Sequence, residues 1–218
     1  MKSLRKALLR HTPKFSSLHA CFGNTPFILL DIGSGNHSPS KTRSIFPNCQ
    51  YHGVDMDKYY NNDERDINAM HAFYELDLTS LNFDIIPNNH FDFIRMTHVI
   101  EHLKNGDQVI VNLLPKLKVG GYIYIEYPGI KSTKLPSMTG TLNFYDDATH
   151  VRIYSVPELR NLLQSNKLKV LQAGTRRNLL FLSAMPFRII NGLLKNGKLQ
   201  GNYFWDLLGF AEFVFAKK

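Results

Sequence analysis

The 218-residue sequence has little cysteine and no long apolar run, and both absences narrow the class of protein. Its two cysteines, Cys21 and Cys49, are too few for a disulfide framework, so we expect free thiols in a reducing compartment. No segment reaches the roughly 18 uninterrupted apolar residues that a membrane span requires. The basic N-terminus lacks the apolar core and cleavage site of a signal peptide, and we expect a helix over residues 3–10 and a cytoplasmic location.

Acidic residues are also fewer than basic ones, which gives a formal net charge of +8. Such a charge is compatible with nucleic acid, anionic lipid or phosphorylated partners. No basic run exceeds two residues, so a solvated basic surface without a partner is an equal alternative. Apolar residues make up 44% of the chain, which is enough for a core and excludes disorder.

The most informative segment is FILLDIGSGN at residues 27–36. Four apolar residues lead into Asp31 and then into Gly33 and Gly35, which is typical of a buried strand that ends in a glycine turn. In an open parallel sheet, ligands bind beyond the carboxyl ends of the strands, and the first strand-to-helix turn is the usual place. The sequence therefore predicts a ligand site at this turn.

Strands and helices alternate along the chain. Strands are predicted over 27–30, 51–54, 72–76, 91–96, 122–127, 167–173 and 210–216. A short helix is expected after its cap Ser38, a helix with a break near Gly106 over 99–114, and a helix capped by Ser155 over 156–163, whereas 59–69 favours a loop or frayed helix and 118–121 a turn. The alternation predicts a parallel sheet with helices on both faces.

Two connections are unusually long and indicate lids or binding loops. They cover residues 130–154 and 176–208, and the second is rich in aromatic, apolar and basic side chains. Its composition favours a core or interface role, with a peripheral membrane contact or a dimer contact as alternatives. We expect one domain over 1–218, with an N-terminal cap region over 1–24 and an insertion over 176–208 before the last strand.

Four blocks together resemble the class I S-adenosylmethionine (SAM)-dependent methyltransferases. They are LDIGSG at 30–35, GVD at 53–55, HVIEHL at 98–103 and LKVGGY at 117–122. The resemblance covers nearly the whole chain from Phe27 and implies an α/β fold: a Rossmann-like three-layer sandwich whose seven-stranded sheet is mostly parallel, with the last strand antiparallel. One departure is His37, which stands where the family has its third glycine.

The resemblance also implies SAM as cofactor, S-adenosylhomocysteine as product and a set of cofactor-binding positions. Asp55 would bind the ribose hydroxyls, with Asp57 a weaker candidate, and Asp77 would lie at the adenine. The full set of positions is Asp31, Gly33, Ser34, Gly35, Asp55, Met56, Asp77, Leu78 and Thr97. A nicotinamide dinucleotide fits less well, because a pyrophosphate requires the third glycine and a helix N-terminus aimed at it.

Histidines supply the candidate catalytic groups. His98, Glu101 and His102 have the i, i+3, i+4 spacing of one helical face just after the fourth strand. One of them is a candidate general base, which a hydroxyl acceptor needs because its own pKa is high. The alternatives are a structural Glu101–His102 pair, or a transition-metal site completed by His150. We assign no metal ligands.

A second informative run is DATHVR at 147–152, which resembles a segment in bacterial methyltransferases of polysaccharide and secondary-metabolite pathways. His150 would be a base or would hydrogen-bond substrate, and Arg152 would contact an anion. Alternatively, His150 anchors its loop through a backbone hydrogen bond. Both interpretations remain open at the level of sequence.

The resemblance predicts an enzyme that methylates a small or carrier-linked acceptor, most simply a hydroxyl, such as a sugar hydroxyl of a surface polysaccharide. One alternative is an RNA methyltransferase, which would need a contiguous basic stripe beside the pocket. Another is a SAM-binding module without catalysis, which would lack a base at the acceptor. A dinucleotide-dependent oxidoreductase is disfavoured by the turn.

Overall fold

The computed structural model describes residues 8–218. The helix predicted for 3–10 therefore lies largely outside the described residues, although Leu8 and Leu9 are helical. The described part of the N-terminal cap region holds helix α1 (Pro13–Phe22), whose first helical position is a proline and which ends at Gly23. A proline suits this position because its missing N–H would have no partner inside the helix.

The remaining elements alternate along the chain as predicted. The strands are β1 (Phe27–Ile32), β2 (Cys49–Asp55), β3 (Ala72–Glu75), β4 (Phe91–Thr97), β5 (Leu117–Pro128), β6 (Lys169–Thr175) and β7 (Ala211–Lys217). The helices are α2 (Ser38–Ile45), α3 (Glu64–Ala69), α4 (Gly106–Leu113), α5 (Val156–Ser165), α6 (Leu179–Ser183), α7 (Met185–Asn196) and α8 (Trp205–Leu208).

The strands form one seven-stranded sheet in the order β3-β2-β1-β4-β5-β7-β6. The first five strands pair in parallel, and β7 runs antiparallel to both β5 and β6. The order reverses direction at β1 and β4, and this reversal opens a crevice at their carboxyl ends. The predicted fold is confirmed.

Apolar side chains fill two layers, one on each face of the sheet. On one face, α1 and α2 pack through residues such as Leu18 and Ile45. On the other, α4 and α5 pack through residues such as Ile110 and Leu159. Cys49 is buried in the first layer, and both cysteines are free thiols, as predicted.

Three local predictions need correction. The turn predicted at 118–121 lies inside β5, because Gly120 adopts a φ of +81° and its N–H bonds to the carbonyl of Lys218. The segment predicted as a loop or frayed helix contains α3, whose first turn is held by a capping box between Asp63 and Asp66. Ser38 is not the cap of α2 but its first residue.

The segment around Gly106 matches its prediction of a broken helix. A single 3-10 turn over Ile100–His102 precedes α4, which begins at Gly106. The insertion at 176–208 is mostly helical and carries α6, α7 and α8. Within residues 8–218, none of the helices has both the length and the apolar content needed to cross a bilayer.

Candidate active site

A cavity of about 790 Å³ lies at the carboxyl ends of β1, β2 and β4, next to the glycine turn. Most of the predicted cofactor positions line it. They are Gly33, Gly35, Asp55, Met56, Asp77, Leu78 and Thr97. The other two, Asp31 and Ser34, are buried behind the turn and do not reach the cavity wall.

The glycine turn has no space for side chains. Gly33 has a φ of +74°, and a Cβ there would lie 2.4 Å from a methyl carbon of Val99. A Cβ on Gly35 would lie 2.6 Å from the ring of Tyr60. The backbone of the turn can therefore form the cavity wall itself, which is what a ligand lying along the turn requires.

His37, which replaces the third glycine, adopts the left-handed conformation with a φ of +57°. Its Nδ1 lies 2.6 Å from the Asp66 carboxylate, and it does not line the cavity. The histidine thus adopts a left-handed conformation that glycine adopts readily, while its side chain faces α3. The departure from the family pattern leaves the cavity open.

The carboxylates of Asp55 and Asp77 line the cavity, at the ends of the neighbouring strands β2 and β3. Asp55 ends β2 and accepts a hydrogen bond from the Met56 N–H at 2.9 Å. Burial raises the pKa of Asp55 above its usual value. Asp77 caps a 3-10 turn by accepting from the N–H and the hydroxyl of Thr79. This placement fits a ligand that presents hydroxyl and amino groups, as SAM does.

Asp31 instead forms a buried ion pair that the sequence did not reveal. Arg95 donates to both of its carboxylate oxygens, at 2.8 and 2.6 Å, and Ser38 and Tyr51 donate to it as well. Burial alone would raise the pKa of Asp31, but the guanidinium outweighs it and lowers the pKa. Every oxygen of Asp31 is thus engaged within the protein. The only signal was a single arginine between Ile94 and Met96, in the part of β4 that is otherwise apolar.

His98 lies between two buried carboxylates. Its Nδ1 is 3.3 Å from Glu101 and its Nε2 is 3.2 Å from Glu126. Burial opposes a charge on the ring, but the hydrogen bonds to the two glutamates raise the pKa of His98 to about 9. A ring that is already protonated at neutral pH cannot accept a proton, so the structure argues against the predicted role of His98 as a base.

The His98 assignment can be tested by NMR. We expect the ring carbon and nitrogen shifts of His98 to report an imidazolium at pH 7 and to titrate near pH 9. Because folding raises this pKa, the charge stabilises the fold fully below pH of about 6.5, and its contribution is lost as the pH rises through about 9. Titration near the ordinary histidine value would refute the assignment, and His98→Gln identifies the resonance.

His102 lines the cavity, and its hydrogen bonds define which ring nitrogen is the donor. The Thr149 hydroxyl donates to Asp147 at 2.6 Å, so its oxygen can only accept from His102 Nδ1, 2.8 Å away. The Thr149 carbonyl, 3.2 Å from the same nitrogen, is also an acceptor. Nδ1 is therefore a donor, which makes Nε2 the acceptor nitrogen whenever the ring is neutral. All three residues line the cavity.

His150 and Glu101 lie behind His102. His150 Nδ1 donates to the Phe144 carbonyl at 2.6 Å, and its side chain is only 5% exposed. This contact matches the interpretation of His150 as an anchor of its loop. The 3-10 turn breaks the predicted helical face, yet Glu101, His102 and His150 offer ligand atoms that all lie within 4.8 Å of one another. A metal site at these three side chains thus remains an alternative.

Arg152, the predicted anion contact, does not line the cavity, and its guanidinium is paired with acidic side chains of the protein. It donates to Asp107 at 2.7 Å and to Glu158 at 2.6 Å, and its guanidinium lies over the ring of Tyr154. These contacts tie the loop after β5 to α4 and α5. The two acids come from segments whose proximity only the tertiary structure defines.

The far end of the cavity contains residues that the sequence reasoning did not single out. Arg176 bridges Glu126 at 2.8 Å and Asp206 at 2.7 Å, and His98 packs on the Trp205 ring. Lys14 of α1 also lines this end, and burial, followed by the charge of Arg95, lowers its pKa to about 8. The insertion thus forms part of the wall, as the length of the connection suggested.

The fold and the site define a class of protein: a Rossmann-like sheet with a crevice at its glycine turn and a last strand that runs antiparallel, which is the architecture of SAM-dependent methyltransferases. Residues 3–173 match the sequence profile of a family described as a methyltransferase domain. The chain belongs to this methyltransferase family. The predicted enzyme class and its cofactor, SAM, are confirmed. Among curated proteins, none matches the sequence significantly.

Solved structures show the same fold at low sequence identity. A SAM-dependent methyltransferase of Archaeoglobus fulgidus superposes with a TM-score of 0.58 at 20% identity, covering 100% of this chain and 95% of that one. A SAM-dependent methyltransferase of Mesorhizobium loti superposes with a TM-score of 0.65 at 11% identity, covering 96% of this chain and 100% of that one. The phosphoethanolamine N-methyltransferase 2 of Haemonchus contortus, crystallised with SAM, gives 0.65 at 17%, covering 93% of this chain and 51% of that one.

Proposed function

We propose that this protein transfers a methyl group from SAM to a hydroxyl of a small or carrier-linked acceptor, with His102 as the general base. The observation that carries the proposal is the chain of hydrogen bonds from Asp147 through Thr149 to His102, which engages Nδ1 and makes Nε2 the acceptor nitrogen of the neutral ring, on a residue that lines the cavity. A hydroxyl needs such a base because its pKa is high, whereas a neutral amine is nucleophilic without one.

SAM, when bound, supplies a methyl group on a sulfonium, which is activated for in-line displacement. Asp55 would hold the ribose hydroxyls, Asp77 would lie near the adenine, and the bare turn at Gly33 would accommodate the methionine part. His102 Nε2 would take the proton from the acceptor hydroxyl. The ion-paired cluster of His98, Glu126 and Arg176 would form a rigid acceptor wall, since alignment of the reacting atoms provides much of the acceleration.

The acceptor atom can be tested with paired compounds. Purified protein is incubated with methyl-labelled SAM and with acceptors that share one skeleton but carry a hydroxyl or an amine, sugars being the first set. We expect label on the hydroxyl compound, with a stoichiometric amount of S-adenosylhomocysteine. Methylation confined to the amine would refute the proposal, and so would SAM binding without turnover on any acceptor. Methylation of RNA in a salt-sensitive manner would favour the RNA alternative instead.

A divalent metal at Glu101, His102 and His150 is the second candidate, favoured by their proximity and by an Oε2 of Glu101 that is buried without a hydrogen-bond partner. In that case a metal would lower the pKa of the acceptor hydroxyl in place of a base. Treatment with a chelator separates the two. Undiminished activity after chelation supports His102 as base, and activity restored only by added metal supports the metal site.

The ribose assignment predicts a loss of cofactor affinity in Asp55→Ala. The loss of hydrogen bonds from a diol to a charged carboxylate should raise the Kd for SAM about 10- to 100-fold. Asp57→Ala is the matched control, because Asp57 follows in sequence but does not line the cavity. Calorimetry that shows equal SAM affinity in wild type and Asp55→Ala would refute the ribose role of Asp55.

A further inference from the structure

Helix α7 presents an apolar face to solvent. Phe187, Ile190 and Leu194 are 76%, 57% and 82% exposed, and Leu193 beside them is 43% exposed. The first three are spaced three and four residues apart, so they form one strip along the helix. Single exposed apolar residues are common on protein surfaces, but a continuous strip on one helix indicates an interaction surface. We call these four residues the α7 face.

The opposite side of α7 is fixed against the protein. Gly192 is buried, and a Cβ there would lie 2.1 Å from the Tyr203 hydroxyl. Arg188 lies 4.7 Å from the centre of the Phe181 ring and 5.2 Å from that of Tyr203. The helix therefore cannot turn its apolar strip inward without losing these contacts. The α7 face is the outward side of a docked helix.

The exposed charge of the segment that carries α7 is positive. Its one acidic residue, Asp206, is buried and paired with the buried Arg176 at 2.7 Å, so neither adds to the surface charge. Arg188 packs on the inner side of α7. Arg177 and Lys198 are exposed, and Lys198 directly follows Gly197, the C-cap of α7. A second copy of the chain would bring the same positive charges to the interface, whereas an anionic bilayer surface complements them.

We propose that the α7 face docks this protein on an anionic membrane surface. The helix, about 18 Å long for its 12 residues, would lie in the plane of the interface with its apolar side chains among the headgroups. Phe181, against which Arg188 packs, also lines the cavity. Docking therefore brings a wall of the active site close to acceptors carried by membrane lipids, although the docking itself does not depend on the identity of the acceptor.

Vesicle flotation of the full chain tests the proposal. Vesicles of phosphatidylcholine alone are compared with vesicles that also contain phosphatidylglycerol, at low and high salt. We expect binding to the anionic vesicles, weaker binding at high salt, and a loss of at least about tenfold in partitioning for the double variant Phe187→Ser/Leu194→Ser. Lys198→Glu should weaken binding less. Val119→Ser, which removes an exposed apolar side chain on β5, should leave it unchanged.

Measurements of folding and of SAM affinity serve as controls, because they separate a loss of membrane binding from a general loss of structure. Circular dichroism and SAM calorimetry should be the same for the double variant and wild type, since neither residue lines the cavity. Absence of binding to anionic vesicles, or equal binding of the double variant, would overturn the proposal. A third outcome would also overturn the proposal: the wild-type protein forms a dimer in solution, the double variant does not, and neither binds vesicles. The α7 face would then be the contact between two copies of the chain.

Discussion

We expect His102→Ala to lower kcat for a hydroxyl acceptor by about 10²–10⁴-fold, the usual contribution of a general base. The SAM affinity should change little, because His102 belongs to the acceptor side of the cavity in this account. Thr149→Val should cost less, about tenfold, since it removes the hydroxyl that accepts from His102 Nδ1, whereas the Thr149 carbonyl still accepts from it. Steady-state kinetics with calorimetry of SAM measure both.

His150→Ala is the matched control for the base assignment. His150 is buried behind His102 and bonds the Phe144 carbonyl, so its loss should reduce stability by about 1–3 kcal/mol. Its kcat should stay within a few-fold of wild type when measured well below the melting temperature. Full activity in His102→Ala would show that His102 is not the base. A large loss of kcat confined to His150→Ala would show that His150 is the base instead.

The largest effect on stability is expected at the buried pair of Asp31 and Arg95. Arg95→Met should lower the free energy of unfolding by about 3–5 kcal/mol, because it leaves an unpaired carboxylate in the core. The double variant Asp31→Asn/Arg95→Met should recover part of the loss, since no charge then remains buried. Urea denaturation at neutral pH measures all three proteins.

The pH dependence of this pair has a defined direction. Folding lowers the pKa of Asp31, so the stabilisation is complete above the unfolded value of about 3.9 and is lost as the pH falls through the folded-state value. Arg95→Met should therefore be less sensitive to acid than wild type. If Asp31→Asn instead weakened SAM binding without reducing stability, Asp31 would be a cofactor ligand, as the family pattern implied.

Much of the fold followed from local sequence signals. The apolar run before Asp31 and the short segment 51–54 before Asp55 indicated two parallel strands, and Gly106 marked the break before α4. These signals predict structure because strands and glycine turns are determined largely by residues that are adjacent in sequence. The continuation of β5 through Gly120 was missed because the Gly120 N–H bonds to the carbonyl of Lys218, at the end of the given sequence.

The candidate site was only partly predictable. Asp55 and Asp77 line the cavity because each lies at or just after the carboxyl end of a strand, and the sequence shows this position. The pairing of Asp31 with Arg95 and of Arg152 with Asp107 joins residues 64 and 45 positions apart, so only the tertiary structure defines it. The protonation of His98 likewise depends on Glu126, which lies on the adjacent strand. Local sequence patterns indicate where a site lies. The charge states of its side chains depend on residues that are close in space but distant in sequence, so they cannot be predicted from those patterns.

The central claim is that the crevice at the glycine turn binds SAM and that this chain uses it for methyl transfer. The most direct measurement is calorimetry of SAM and S-adenosylhomocysteine with the purified protein, with NAD as control. We expect both sulfur nucleosides to bind at one site per chain and NAD not to bind, because the turn lacks the third glycine of the motif that binds a dinucleotide pyrophosphate. Failure of both sulfur nucleosides to bind, or binding of NAD in their place, would contradict the account.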